Sequence, residues 1–495
     1  MLKITSNYIE NGLVVSFIVI SSLFFSSVPP ISKLVLLTIL GVIFIINGVI
    51  STHLNNLTKK NIFVLIFFII YLVLNTFLLS KIKYDSKQEL VNFFIYGLTF
   101  VVFSSICIEK LEKFLATGFL AVLSVTMLFY LSGSGSREDI IYFFFYNANI
   151  FAGHCLMILF FSFGCIEEEI GNKYVNIFNF CVSLIFLFLL KSYAAIFVVF
   201  LVGGLIVRKY YKISITSFVI IIVSIFLIGI TINFQTTIDR VLWIYVAIRV
   251  FVNNIIFGVG LGNFKYFYLP YSGDLFPSSA TTFVHNYFLQ FACETGVVGV
   301  VFLFLILKNV FVYYEKKNFF YALVAGLILN IFDYNLYIPQ NGILFAVMFA
   351  AHLRVQNEKI PVNSKKEKYE VLILVILSLV YSWWSVYRFN KIEKLFKHPD
   401  EQNLREIISI DKSCWQAYFN IAQIEIANKR LFSARENISY AIKYNPVYGE
   451  LYFYLSLVDK KISPKNSISY KNLHQAVKLN PKASKKYIKY FNSIQ

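Results

Sequence analysis

Apolar runs of about 17–21 residues recur from Leu13 to Trp384, and each is long enough to cross a hydrocarbon core of roughly 30 Å. Little else constrains this chain so strongly. Inside hydrocarbon no water satisfies the backbone, so a segment must bond its own N–H and C=O groups, and helices are the spanning element. Only 15% of the 495 residues are charged, where a soluble domain carries about 25%. The expected fold is all-α: a polytopic transmembrane helical bundle with an α-helical C-terminal tail. Thirteen spans are predicted, near 11–28, 31–50, 61–80, 91–107, 114–132, 148–165, 173–190, 194–207, 213–233, 287–307, 318–332, 342–353 and 371–387. The twelfth is short. The first run ends in SSVPP without a small-residue cleavage pattern, so it reads as a retained helix.

The net charge of +18 suits lipid headgroups and topology better than nucleic acid, because the basic residues sit in short loops and in the tail. Lys59 and Lys60, then Arg208, Lys209 and Lys212, then Lys308, Lys316 and Lys317, then Arg354, Lys359, Lys365, Lys366 and Lys368 all fall on one side of the predicted spans. The positive-inside rule makes that side cytoplasmic. Segments 133–147, 191–193, 234–286, 333–341 and everything after about 388 then lie outside. Lys81, Lys83 and Lys87 dissent, since they fall on the outer side. Cys107, Cys155, Cys165, Cys181, Cys293 and Cys414 are scattered, with no metal-ligand spacing and no disulfide framework, and no cofactor or metal is expected.

Two domains are predicted: 1–387 in the membrane and 388–495 outside it. Long apolar runs stop near Tyr387 and helical periodicity takes over. Tyr418, Ile421, Ala422, Ala434, Ile438, Ala441 and Pro446 fall at the spacing of a tetratricopeptide repeat, in which small residues let two antiparallel helices approach closely. Tyr452, Leu455, Ser456, Ala476 and Pro481 give a second, poorer copy. Such arrays need about three units to bury a core, so this one is expected to lean on the membrane domain or on a protein partner. From Arg388 onward basic groups outnumber acidic ones about two to one, which fits an acidic glycan, anionic headgroups or an acidic partner.

The chemistry-bearing residues cluster at 240–296. Charges at bilayer depth cost roughly 2.5–3.5 kcal/mol on insertion scales, so they are functional or well paired. Residues 239–254 read as an amphipathic helix, with Arg240 and Arg249 nine positions apart and therefore on opposite faces. Either arginine could instead be a snorkelling anchor. The GVGLGNF run carries Gly258, Gly260 and Gly262, which permit a tight turn and close backbone approach; it lacks the strand–helix context of a dinucleotide fingerprint. Asn286, Gln290 and Glu294 recur every fourth position and line one helix face. His285 stands at the mouth of that helix and can exchange a proton near neutral pH.

An arginine before a tryptophan, a GxGxxNF turn, an HNxxLQ helix start and the following ExG together resemble the O-antigen ligase and O-antigen polymerase superfamily. The stretch YNANIFAGH at 146–154, which includes Asn149, is similar to that family's element at the start of a mid-chain helix. The resemblance covers roughly residues 140–350, and a tetratricopeptide tail is found on some members. It implies a membrane glycosyltransferase at the outer face of a bacterial cytoplasmic membrane, moving glycan from an undecaprenyl-pyrophosphate donor to lipid A–core, another glycan or a protein hydroxyl, without a metal. Arg240 matches the loop arginine and His285 the histidine of the HN motif. Relatives often carry Ser-Arg-Gly at the mouth of a central helix, where this chain has Lys191-Ser192-Tyr193, so the cation there is a point charge without a guanidinium fork. The chemistry implied asks for cations at the departing pyrophosphate. Arg240 is the expected one, with Lys191, Arg137 and Arg249 as helpers. His285 is the expected base, with Asn149, Asn286, Gln290 and Glu294 as substrate-binding neighbours. Ligase, polymerase and protein O-oligosaccharyltransferase share this chemistry. A lipid-linked-glycan flippase and a non-catalytic scaffold are the readings from other classes; no repeated halves of a transporter appear, and a scaffold leaves Arg240 and His285 unexplained.

Overall fold

The computed structural model describes residues 2–23, 30–50, 59–104, 106, 108–132, 147–211, 214–232, 234–273, 281–312, 317–357, 365–464 and 467–493. All regular structure among them is helical. The membrane-type part contains α1 (Leu2–Leu23), α2 (Pro30–Ile50), α3 (Lys59–Leu74), α4 (Lys83–Ser104), α5 (Ile108–Leu131), α6 (Ala148–Glu167), α7 (Lys173–Leu190), α8 (Tyr193–Tyr211), α9 (Ile215–Ile232), α10 (Phe234–Asn253), α11 (Phe264–Ser272), α12 (Tyr287–Val312), α13 (Lys317–Phe332), α14 (Pro339–Asn357) and α15 (Lys365–Phe396).

Each predicted span overlaps a helix among the described residues, and several helices outrun their spans. α4 begins at Lys83, eight residues before the expected 91, and α15 runs through the expected domain boundary to Phe396. Hydropathy sees only the stretch that needs hydrocarbon, whereas backbone bonding continues into charged turns. Seven helices among the described residues are long and apolar enough to cross a membrane: those at Glu109–Leu131, Ala148–Glu167, Lys173–Leu190, Tyr193–Tyr211, Ile215–Ile232, Tyr287–Phe311 and Leu372–Phe396. Shorter apolar helices cover Gly12–Leu23, Pro30–Ile45, Phe63–Leu79 and Lys317–Phe332. α14, at the uncertain twelfth span, is less apolar because other helices surround it. Its Asn341 and His352 are buried and bonded to protein atoms. α9 is the opposite case: it has the highest hydropathy, and none of its window is buried by the chain.

The loops segregate to two ends. At one, Lys317 Nζ meets Glu167 at 2.5 Å, Tyr210 donates to the same carboxylate, and Asn318 bonds Glu112 at 2.9 Å. At the other, Gln340 bonds the carbonyl of Ser22, Asn147 donates to Tyr334 Oη at 3.0 Å, and Tyr287 N donates to the carbonyl of Asp333 at 3.0 Å. The dissenting lysines join the second end for a structural reason. Lys87 Nζ lies 3.0 and 2.9 Å from the two oxygens of Asp411 and 2.9 Å from Ser413 Oγ, so it binds the tail. Lys81 gives its backbone N–H to the carbonyl of Val259 at 3.3 Å.

The tail comprises α16 (Glu401–Ile410), α17 (Trp415–Ala427), α18 (Leu431–Tyr444), α19 (Gly449–Ile462), α20 (Ser467–Leu479) and α21 (Ser484–Ser493). α17 packs on α18 and α19 on α20 as helical hairpins. Ala422, Ala434, Ala441, Ser456 and Ala476 are fully buried between them, as their spacing predicts. The array leans on the membrane part. Trp415 and Tyr448 crowd Tyr266 of α11, with ring centroids 5.9 and 6.4 Å away. One apolar core runs unbroken from Trp243 to Val458.

Asp411 is the electrostatic pin of this dock. Burial alone would raise its pKa, but hydrogen bonds from Ser413 and the charge of Lys87 outweigh that and hold it below the ordinary 3.8. A depressed carboxylate contributes stability above its unfolded value and loses it as pH falls through the folded value. The dock should therefore hold at pH 5–7, and protease should cut between α15 and α17 only below about pH 4. The variant Lys87→Ala should be cut there already at neutral pH. Equal resistance of both forms at pH 7 would show that apolar contacts alone hold the tail.

Candidate functional site

The expected outer loop is not a free loop. α10 turns Asp239, Trp243, Val246, Ala247 and Val250 inward and leaves Val241, Tyr245, Ile248 and Val252 exposed. It then runs back alongside α12. Trp243 stacks on His285, Cys293 Sγ donates to the carbonyl of Ala247 at 3.1 Å, and Val297 N donates to that of Ile255 at 2.8 Å. Contacts advance in the same direction along both segments over roughly 10 residues of α12, or about 15 Å. Irregular backbone at such depth is tolerated where protein covers it.

Four glycines make that cover possible. Gly258, Gly260 and Gly262 have φ of 71°, 101° and 70°, and Gly296, at a kink in α12, has φ of 65°. Val259 N and Gly260 N donate to the carbonyls of Cys293 and Glu294, both at 2.9 Å. A π-helical turn at Asn75–Leu79 closes the other side: Asn75 Nδ2 donates to the carbonyl of Phe257 at 2.8 Å, and its Oδ1 accepts from Leu261 N at 3.3 Å. The Glu294 carboxylate sits in the middle. It accepts from Gly262 N at 2.9 Å, Gln290 Nε2 at 3.3 Å, Phe264 N at 3.4 Å and Tyr337 Oη. Burial first, then the charge of Glu294, holds the Tyr337 phenol well above its ordinary pKa, so it stays a neutral donor.

This assigns the polar stripe of α12 to structure. Glu294, expected as a substrate-binding neighbour of His285, has its carboxylate engaged by the glycine turn. Gln290 Oε1 accepts from Val284 N at 3.1 Å, and Asn286 Oδ1 caps α12 through Leu289 N at 2.9 Å. Buried amide and carboxylate groups must find partners, and a backbone that folds against the helix supplies them.

Arg240 and His285 do converge. Arg240, one turn before Trp243, donates from Nη1 to the carbonyl of Phe332 at 3.2 Å. His285 Nδ1 lies 3.3 Å from Oδ1 of Asp333, the next residue, close enough for an ion pair but not aligned as a hydrogen bond. Both side chains therefore reach one pair of neighbouring residues, Arg240 through the carbonyl of Phe332 and His285 through the carboxylate of Asp333. Arg240 is half-buried and bonds the Phe332 carbonyl through one of its five donors, which leaves others for an anion. The imidazole is 18% exposed and clamped, with Trp243 stacked at 4.9 Å and 21° and Tyr334 edge-on at 4.9 Å and 85°.

The wall behind is braced from the YNANIFAGH stretch. Asn147 caps α6 through Ile150 N and holds Tyr334, while His154 Nδ1 contacts Asn341 Oδ1 at 3.1 Å, and Asn341 in turn bonds Asn335 at 2.9 Å. Asn149 lies half-buried in the first turn of α6, two residues past the cap. Arg249 is exposed on the outer face of α10, 6.0 Å from the Tyr245 ring, and points away from the Arg240 face as the nine-residue spacing requires. Lys191 is an exposed left-handed cap at the end of α7, with φ of 51°. Arg137 and Tyr146 lie outside the described residues. Sequence reasoning passed over Asp333, Tyr334 and Asn75. An acid directly after the apolar run of α13 was the available signal for Asp333.

A groove lined by Leu72, Phe93, Gly97, Leu303, Phe345 and Phe349 runs between α3, α4, α12 and α14. Tyr287 and Leu336 line it too, and Tyr287 is the residue bonded to Asp333. Among the described residues no cluster of His, Cys, Asp and Glu could hold a metal ion. Neither a scan of protein-family models nor a search of curated proteins finds a match to this chain.

Proposed function

We propose that the chain is a membrane glycosyltransferase of the O-antigen ligase type, transferring glycan from an undecaprenyl-pyrophosphate donor to a hydroxyl of lipid A–core or another glycan. The observation that carries this is the meeting of Arg240 and His285, from two separate segments, on the single turn Phe332–Asp333. As the anomeric C–O bond breaks, charge develops on the departing lipid pyrophosphate, and the open donors of Arg240 are suited to it. The acceptor oxygen forms the new bond to the anomeric carbon while the imidazole of His285 takes its proton. The apolar groove beside Tyr287 has the lining to take the donor's hydrocarbon chain. The basic loops support a cytoplasmic first end, which puts the site and tail outside. The buried small residues and helical hairpins support a tetratricopeptide-type tail, docked on this membrane part and open to a protein partner on its other faces.

Purified protein in vesicles with an undecaprenyl-pyrophosphate glycan tests the reading, with lipid A–core, a second lipid-linked glycan and a peptide hydroxyl as parallel acceptors. The acceptor consumed separates ligase from polymerase and from protein transfer. Arg240→Ala should slow transfer about 100–1,000-fold, and Arg240→Lys should recover part of it as a point charge. Translocation of the donor across the vesicle without transfer to any acceptor would replace this reading with a flippase.

A further inference from the structure

We propose that Asp333 is a positioning residue for His285, holding a proton on Nδ1 so that Nε2 is the nitrogen presented to the acceptor hydroxyl. This rests on the transferase reading for the role of Nε2, but the pairing itself is a property of the fold.

Three observations converge. First, His285 has little freedom left. Its backbone is left-handed, with φ of 55°, a region a non-glycine residue keeps only where its surroundings enforce it. They do: Val284 N on one side is held by Gln290, Asn286 on the other caps α12, and the ring is packed between Trp243 and Tyr334. What such packing does not decide is the two-fold choice about χ2, which exchanges the ring's edges.

Second, only a carboxylate stands at the inner edge to make that choice. Asp333 is 1% exposed and lies 3.3 Å from Nδ1. Its Oδ1 accepts from Tyr334 N at 2.9 Å, while Oδ2 is buried without a hydrogen-bond partner among the described residues. A buried carboxyl group 3.3 Å from an imidazole nitrogen, with its second oxygen unspent, electrostatically favours a proton on that facing nitrogen, which leaves the other nitrogen bare in the neutral ring. Third, the same residue pins the start of the helix that follows the histidine, because its carbonyl accepts from Tyr287 N at 3.0 Å. Ring and carboxylate therefore cannot drift apart independently.

The substitution Asp333→Asn keeps the size and an oxygen for Tyr334 N but removes the charge. Two measurements decide. The chain has six histidines, so a ¹⁵N-histidine spectrum in nanodiscs is sparse, and the His285 signal is the one lost in His285→Ala. The neutral ring should carry its proton on Nδ1 in the parent and move it to Nε2 in Asp333→Asn. In the transfer assay, kcat should fall about 100-fold, with the donor KM within about twofold and the melting temperature unchanged. A merely structural aspartate would lower the melting temperature and leave the tautomer alone. An unchanged tautomer overturns the proposal whether or not transfer is observed. If the tautomer moves while His285→Ala still transfers glycan, the pairing stands and the transferase role of the histidine falls.

Discussion

Replacing His285 by alanine should reduce glycan transfer by about 10²–10⁴-fold, the usual contribution of a positioned acid–base group, while the protein still inserts and melts normally. The expectation of normal folding comes from the site's construction. Among the described residues His285 Nδ1 has no aligned hydrogen bond, and its 3.3 Å pairing with Asp333 is a charge contact. Removing it also relieves little of the surrounding packing, since Trp243 and Val284 belong to a core that extends into the tail. The measurement is initial transfer rate in vesicles set against thermal unfolding of the same preparation. Undiminished transfer by His285→Ala would remove the imidazole from the mechanism and, with it, the main chemical reason to read this end of the bundle as a catalytic site.

The largest stability effect should come from two glycines where the 256–260 backbone presses on α12. A Cβ on Gly258 would stand 2.4 Å from the carbonyl carbon of Glu294, and one on Gly296 would stand 2.2 Å from the carbonyl oxygen of Ile256. Both neighbours are backbone and cannot rotate away. Both glycines also have positive φ, 71° and 65°. The backbone term costs a non-glycine residue roughly 1–3 kcal/mol, and forced overlap adds about 1–3 kcal/mol. Gly258→Ala and Gly296→Ala should each lower the melting temperature sharply or prevent recovery of folded protein, and the pair should not be additive, because both break one interlock. Gly229→Ala, where nothing lies within 4 Å and the backbone is helical, is the control and should be neutral. A Gly258→Ala protein melting with the control would mean that the turn can separate from α12 without loss.

Much of this architecture was legible because hydrocarbon imposes a one-dimensional rule. Runs that must satisfy their backbone internally announce themselves by length and apolarity, and so did the helices from α5 to α9. The tail's hairpins were legible for a similar reason: Ala434, Ala441 and Ala476 are small where two helices must approach. Misreading began where a polar residue's partner is distant in sequence. Lys87 looked like a topology signal and proves to be half of an ion pair with Asp411, 324 positions away. The periodicity that sets Gln290 beside Glu294 shows their pairing on one helix face, but not that the backbone of 262–264 bonds the same carboxylate.

Composition and periodicity alone determined that the chain is a bundle of membrane-type helices with a helical tail, that Arg240 and Arg249 face opposite ways, and that the glycines of 258–262 mark a tight turn. Those properties depend on spacing along one segment, which a sequence states directly. Only the tertiary structure decided that Arg240 and His285 share the turn after α13, that Asp333 stands behind the imidazole, and that the polar face of α12 is spent on the glycine turn and on the start of α12 itself. Each of these depends on which distant groups satisfy a buried donor or acceptor, and that assignment exists only once the chain is folded.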